Sequence, residues 1–464
     1  MATVSARDAP PAPSSVEVAP QDGLFPVSYR RKALGILLLI YVFNFVDRQV
    51  VNILAESIKR DLALTDTQLG MMTGLAFAVF YSMLGLPIAR YAEYGDRPRI
   101  VAISVAIWSS FTALCGFAHS FTYMLIARLG VGIGEAGGVP PAHSLIVEFT
   151  PRAERASAIA IYSMGMPLGA LVGLALGGVI ADTFGWRAAF FAAGLPGLVF
   201  ALVALRVLRE PRRHGGAAAT AVGDAPSQRQ PAVERQSLRR AMAILAAKPT
   251  YRWLLVGATF QSMVAYGVGG FIAPYFLRMH MAELTGLAAS VGLKPMGFLG
   301  ICLGLATGLA GAFGAFTGGK IADRLGRKDL RAYPAVAACG SLLAIPGYLL
   351  VFSTPSALVG LMILFVPSAC HAVWYGPVHA SSQGLVHPQM RATISATTLV
   401  VINLIGLGLG PPLVGIISDH AKRAFALDNA GGLQAALLSA LSLTFIAVFG
   451  FWRARRSIVA DTVS

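Results

Sequence analysis

The apolar residues of this chain come in long runs, not in the short alternating or 3.6-spaced stripes of a soluble protein. Twelve runs are long enough to cross a bilayer, whose hydrocarbon core takes about 20 residues of helix. They lie near 33–57, 68–92, 99–118, 121–148, 155–181 and 186–208, and then near 252–278, 296–319, 331–353, 356–380, 391–417 and 433–455. Segment 211–250 starts Pro-Arg-Arg-His-Gly-Gly, continues rich in Ala, Gln and Arg, and has no sustained apolar period. It reads as a linker, with a short amphipathic helix expected around Leu238 to Leu245. Residues 1–28 are Pro/Ala-rich, lack the apolar stretch of a secretory signal, and read as a disordered tail. The layout is therefore a tail over 1–28, a six-helix bundle over 29–210, a linker over 211–250, a second bundle over 251–456 and a tail over 457–464.

The halves repeat weakly. Gly178-Val-Ile-Ala-Asp182 ends the fifth run and Gly415-Ile-Ile-Ser-Asp419 ends the eleventh. Pro151…Arg155-Ala-Ser-Ala precedes the fifth, and Pro388…Arg391-Ala-Thr-Ile precedes the eleventh. Two six-helix bundles related by a parallel repeat, with a site between them at mid-membrane, form a transporter architecture. The expected fold is all-α and integral to the membrane, with twelve transmembrane helices in two pseudo-symmetric six-helix bundles.

Composition narrows the class. Of 464 residues, 56% are hydrophobic and only 13% charged, with mean hydropathy +0.66. Soluble domains carry about 25% charge, so this is not a soluble enzyme with an anchor. A net charge of +15 would suggest nucleic acid. Placement argues against it. The basic residues fall in alternate loops: Arg30 to Lys32, Arg97/Arg99, Arg152/Arg155, Arg206 to Arg252, Lys320 to Arg331, Arg391, and Arg453 to Arg456. That is the positive-inside pattern. It puts both termini and the linker in the cytoplasm, and the short loops suggest a bacterial inner membrane. Cys115, Cys302, Cys339 and Cys370 lie in apolar runs and read as buried hydrophobes without disulfides.

Charges inside the runs carry the chemistry. Asp47-Arg48 sits in the middle of the first run, and Arg128 and Glu135 sit in the fourth. An intramembrane charge costs at least a few kcal/mol and usually has a partner. Arg128 and Glu135 are seven residues apart, two turns of one helix face. Two acids and two arginines facing each other suggest a site that binds an anion and handles protons. Asp47 with Arg128, or Arg48 with Glu135, could instead form a purely structural salt bridge. Asn44, one turn away, orients either charge or bonds within the bundle. The second half holds no Asp, Glu, Lys or Arg deep in its runs, only milder polar groups: Gln261, Tyr266, His371, Trp374, Tyr375, His379 and Asn403. His371, Trp374 and Tyr375 form a one-turn cluster that either lines an amphiphile site or belongs to an interfacial aromatic belt. Phe77 and Tyr81 could face the cavity, but apolar core is the default reading.

Gly319-Lys-Ile-Ala-Asp323-Arg324-Leu-Gly326-Arg327-Lys328 resembles the signature loop of the major facilitator superfamily, with a degraded first-half copy at Glu93-Tyr-Gly-Asp96-Arg97. Arg128-x-x-x-Gly132-x-Gly134 is similar to the helix-4 signature of proton-coupled members. Five stretches resemble the spinster family: Asn44-Phe-Val-Asp47-Arg48, Leu86-Pro-Ile-Ala-Arg90-Tyr-Ala-Glu93, Ala127-Arg128 through Glu135-Ala, Gly185-Trp-Arg187 and Arg209-Glu210-Pro211. The resemblance implies a lysolipid or sphingoid-phosphate type of cargo. It implies proton coupling at Asp47 and Glu135, and cargo binding at Arg48 and Arg128, with Asn44, His371, Trp374 and Tyr375 as further binding candidates. It also implies a cytoplasmic gate at Glu93, Arg97, Asp323, Arg324 and Arg327. The same charged motifs are similar to the sialin-type organic anion–proton symporters. A small hydrophilic organic anion is thus the alternative cargo, and a membrane enzyme acting on lipid is a third and weaker reading. No cofactor, metal or nucleic acid is expected. The partners expected are cargo, protons and membrane lipid, around a monomer.

Overall fold

A computed structural model describes residues 25–214, 238–387 and 390–463. Much of the 1–28 tail and of the 211–250 linker lies outside these residues. Among the described residues eleven helices are long and apolar enough to cross a membrane: α1 (Val27–Asp61), α2 (Asp66–Ala92), α3 (Arg97–Cys115), α5 (Arg155–Phe184), α6 (Trp186–Val207), α7 (Pro249–Met279), α8 (Pro295–Gly326), α9 (Ala332–Ser353), α10 (Ala357–Gly384), α11 (Thr393–Ala424) and α12 (Asn429–Ala454). The twelfth crossing, α4, is in two pieces, Phe121–Glu135 and Val139–Phe149.

The sequence read α4 as one helix, and its break has a local cause. Gly137-Gly138 leaves the backbone unrestrained, and Pro140 and Pro141 cannot donate to the preceding turn. Glu135 therefore stands at the end of the first piece. Several helices outrun their apolar runs, because α1, α8 and α11 carry charged turns past the apolar stretch, so Lys320, Asp323 and Arg324 of the expected loop stand on the end of α8. Between α7 and α8 a further helix, Met281–Ser290, was not anticipated. In the linker a helix runs Leu238–Ala247. The chain end is not a loose tail. Ile458–Asp461 is helical, and Asp461 Oδ2 accepts from Thr250 N–H at 2.8 Å, tying the end to the start of α7.

Helices α1–α6 and α7–α12 form two bundles. They meet along α1 with α7, α2 with α11 and α5 with α8. An even number of crossings puts both ends of the chain on one side, here the termini side. The seams are tight on the opposite, far side. Contacts fall on Gly165–Phe184 of α5 against Pro295–Leu309 of α8, and on Asp66–Leu75 of α2 against Gly408–Ala424 of α11. Glycines permit this. A Cβ on Gly70 would strike the Pro411 backbone, and one on Gly300 the Leu174 backbone. Single π-type turns at Met71–Leu75, Gly304–Leu309 and Ile402–Leu407 re-aim side chains along the same seams. Toward the termini side the seam surfaces are exposed, as at Met164 and Met166 of α5, Met83 of α2 and Phe316 of α8. The bundles are thus joined at the far side and parted at the termini side.

Candidate functional site

The charged residues expected to face each other do so. Arg48 Nε donates to Glu135 Oε2 at 2.6 Å, and Arg128 NH1 donates to Asp47 Oδ1 at 3.5 Å. Both pairs tie α1 to α4. Thr112 of α3, which the sequence did not single out, donates its hydroxyl to Asp47 Oδ2. Asp47, Arg128 and Glu135 are buried, while the Arg48 side chain is 18% exposed and Glu135 not at all. Arg48 therefore stands between Glu135 and the space left where the bundles part toward the termini side.

Aromatic faces complete the Arg48 site. Its guanidinium carbon lies 4.5 Å from the Phe77 ring centre, 4.7 Å from Tyr81 and 5.2 Å from Phe45. A desolvated cation over such faces gains on the order of 2 kcal/mol. Phe77 and Tyr81 are thus part of the charged site as well as of the core. Three polar atoms here have no hydrogen-bond partner among the described residues: Asn44 Oδ1, Glu135 Oε1 and Arg128 Nε. Buried polar atoms are nearly always paired, so unpaired ones grouped at one site point to function.

The second bundle offers neutral groups. Tyr266 of α7 donates to Asn403 Oδ1 of α11 at 3.3 Å and lies within electrostatic reach of Arg48. Of the cluster on α10, Tyr375 is 44% exposed and lies within reach of Tyr41 and Tyr81 across the cavity. Trp374 instead packs in the second bundle's core, 6.3 Å from Phe451. His371 is buried, with Nδ1 3.1 Å from Gln261 Nε2. The one-turn cluster therefore splits: one ring faces the cavity and two groups face inward.

The gate candidates are apart. Asp323, Arg324 and Arg327 are exposed, and Asp323 accepts from the Tyr333 hydroxyl at 3.0 Å within its own bundle. Arg97 is fully buried within the first bundle, where it binds Glu148 at 2.5 Å and Glu210. Burial disfavours the Glu210 carboxylate, but the Arg97 bonds outweigh it and hold its pKa below the ordinary value. Exposed Glu93 offers its backbone carbonyl to Arg212.

The ion pairs that do join the bundles lie at the far side, and sequence reasoning missed them. Arg278 of α7 donates to Glu56 of α1 at 2.6 Å and to Asp66 of α2 at 2.8 Å. Asp66 also binds Lys59 at 2.6 Å and Lys422 of α11 at 2.9 Å. Each of these residues sits near a helix end, where sequence alone reads a charge as a solvated turn.

A family model described as Major Facilitator Superfamily matches residues 37–411. An MFS-type efflux pump of Mycolicibacterium smegmatis is 30% identical over 444 residues, covering 92% of this chain and 94% of that protein. Protein spinster homolog 1 of Homo sapiens is 25% identical over 444 residues, covering 94% of this chain and 82% of that protein. The crystal structure of a bacterial homolog to the human lysosomal transporter Spinster, in an inward-facing and unoccupied conformation, superposes with a TM-score of 0.81. It is 30% identical and covers 95% of this chain and 100% of that one. The buried charges between α1 and α4, the two joined bundles and these similarities agree: the chain is a membrane transporter of the major facilitator superfamily and belongs to its spinster family.

Proposed function

We propose that this protein is a proton-coupled secondary transporter, moving a lipid-like amphiphile with an anionic or zwitterionic head by alternating access. The observation that carries this is the placement of Arg48, bound to buried Glu135 on one side and open to an aromatic-walled cavity on the other. An anionic head entering the cavity competes with Glu135 for the guanidinium, whose planar fork suits phosphate and carboxylate oxygens. Glu135, left without its cation in a dry site, takes up a proton, because an isolated buried charge is costly. Asp47 stands in the same relation to Arg128, with Thr112 holding the carboxylate in place. The partly exposed rings of Phe45 and Tyr81 offer contact for the apolar body of the cargo. The basic-loop asymmetry makes the termini side cytoplasmic, so the cavity faces inward. The efflux-pump relative supports export as the direction.

The test is cargo-driven proton movement in proteoliposomes, read by a trapped pH dye. Lysolipids and sphingoid phosphates are expected to drive it, and short organic acids to be inert. Proton movement with the acids and none with the lipids would replace the amphiphile by a small organic anion. Cargo uptake without proton movement would remove the coupling.

A further inference from the structure

The internal repeat at the ends of α5 and α11 builds a second kind of contact between the bundles. In each copy the glycine faces the backbone that opens a helix of the other bundle. Gly178 meets Met296 and Gly297 of α8, and Gly415 meets Asp66 and Thr67 of α2. A Cβ at either glycine would overlap that backbone. One turn further on, the aspartate reaches the amides that a helix start leaves unpaired. Asp182 Oδ2 accepts from Gly297 N–H at 2.6 Å. Asp419 accepts from Asp66 N–H at 3.2 Å and from Thr67 N–H at 2.8 Å. The exchange is reciprocal: the first bundle caps a helix of the second, and the second caps a helix of the first. We propose that Asp182 and Asp419 hold the far side closed by capping, in trans, the first turn of a helix in the opposite bundle.

The two caps are unequal. Helix α2 has a cap of its own, since the Thr65 hydroxyl accepts from Gln68 N–H and the Gln68 side chain accepts from Thr65 N–H. It keeps that box when the bundles part. Helix α8 starts after Lys294, whose ammonium cannot accept, and continues with Pro295, which has no N–H. Its first-turn amides depend on Asp182. Lys294 donates instead to the Asp182 carbonyl at 2.7 Å and tightens the same seam. Opening the α5–α8 seam therefore leaves α8 uncapped, and opening the α2–α11 seam does not uncap α2. Asp182 is the positioning residue that makes closure of the α5–α8 seam favourable, and the mechanism rests on the alternating-access reading.

The experiment uses the full chain in lipid nanodiscs, with spin labels replacing exposed Phe184 and Val291 on opposite bundles at the far side. Asp182→Ala is expected to raise the open-to-closed ratio about five-fold, the usual size of a lost N-cap. Asp182→Asn is expected to stay near wild type, because its amide oxygen caps as well as a carboxylate. Lys294→Ser gives α8 its own cap and is expected to open the seam more than Lys294→Ala does; both lose the bond to the Asp182 carbonyl alike and keep the Asp182 side chain. If Asp182→Ala fails to fold, the two Lys294 variants decide. An Asn variant as open as the Ala variant would show that charge, not capping, closes the seam. Unmoved distances in Asp182→Ala, or equal distances in Lys294→Ser and Lys294→Ala, would overturn the cap. A wild-type distance that never answers to pH or lysolipid would overturn the alternating-access reading itself.

Discussion

The mid-membrane charges and the far-side charges use the same residue types to tie together different things. At mid-membrane Asp47, Arg48, Arg128 and Glu135 all belong to the first bundle. At the far side Glu56 and Asp66 of the first bundle meet Arg278 and Lys422 of the second. Rocking one bundle against the other leaves the first set intact and breaks the second. On the proposed cycle the mid-membrane pairs therefore answer to a proton or a competing anion. The far-side pairs change whenever the carrier opens there. In that proposed cycle one set would read cargo and the other would set the population of states, since a ligand shifts that population only by binding one state better.

This contrast breaks most readily at Arg278. Arg278→Ala leaves Glu56 and Asp66 buried without their guanidinium, and stripping one partner from a buried pair costs about 3–5 kcal/mol. Lys59 and Lys422 remain on Asp66, so the lower end applies, a loss of the closed far side on the order of a hundred-fold. Distances between labels across the far side should lengthen accordingly. A closed far side in this variant would deny the cluster its role as a latch.

The complementary variants should leave those distances alone. Asp47→Asn and Glu135→Gln are expected to fold, keep the wild-type far-side distances, and reduce cargo-driven proton uptake to the level of empty liposomes. Either variant with normal uptake would take its acid out of the coupling.

Arg128 tests whether geometry matters beyond charge. A charge-assisted hydrogen bond contributes about 1.5–3 kcal/mol, so Arg128→Ala should weaken cargo binding about ten- to a hundred-fold by calorimetry. Arg128→Lys should recover only part, because an ammonium lacks the planar fork. Full recovery by lysine would mean that charge alone suffices.

The smallest effect is expected at Asp323. It is exposed in this conformation and bonded only to Tyr333 among the contacts described. On the proposed cycle, closing the termini side would bring this end of α8 against the opposite bundle. Asp323→Asn should then disfavour that closed side by about 1 kcal/mol or less, as exposed pairs do, at most about a five-fold shift. Labels near Arg97 and Arg327 would report it, and an unchanged distribution would make the loop a topology signal only.

How much could be read beforehand follows from range. The spanning helices were legible because burial in lipid demands long apolar runs; what escaped was chiefly the ends of α1, α8 and α11 and the break in α4. The break was written in Gly137-Gly138 and Pro140-Pro141, but a continuous apolar run masked it. Asp47, Arg48, Arg128 and Glu135 stood out because a charge inside such a run has no bland explanation. Glu56, Asp66, Arg278 and Lys422 did not, because a charge at a helix end is ordinary. Trp374 and Tyr375 are adjacent in sequence, yet one enters the core and the other faces the cavity. Helix rotation against its neighbours decides that.

The sequence by itself determined the number of crossings, the twofold plan and the residues that charge the membrane interior, since each follows from what lipid excludes. Only the tertiary structure decided which charges pair, which helix starts are capped by the opposite bundle and which side is closed. Those depend on how the two bundles lean together. The contacts that settle it join residues from about eighty to more than three hundred positions apart, such as Arg48 with Glu135, Glu56 with Arg278 and Asp66 with Lys422, where no local pattern reaches.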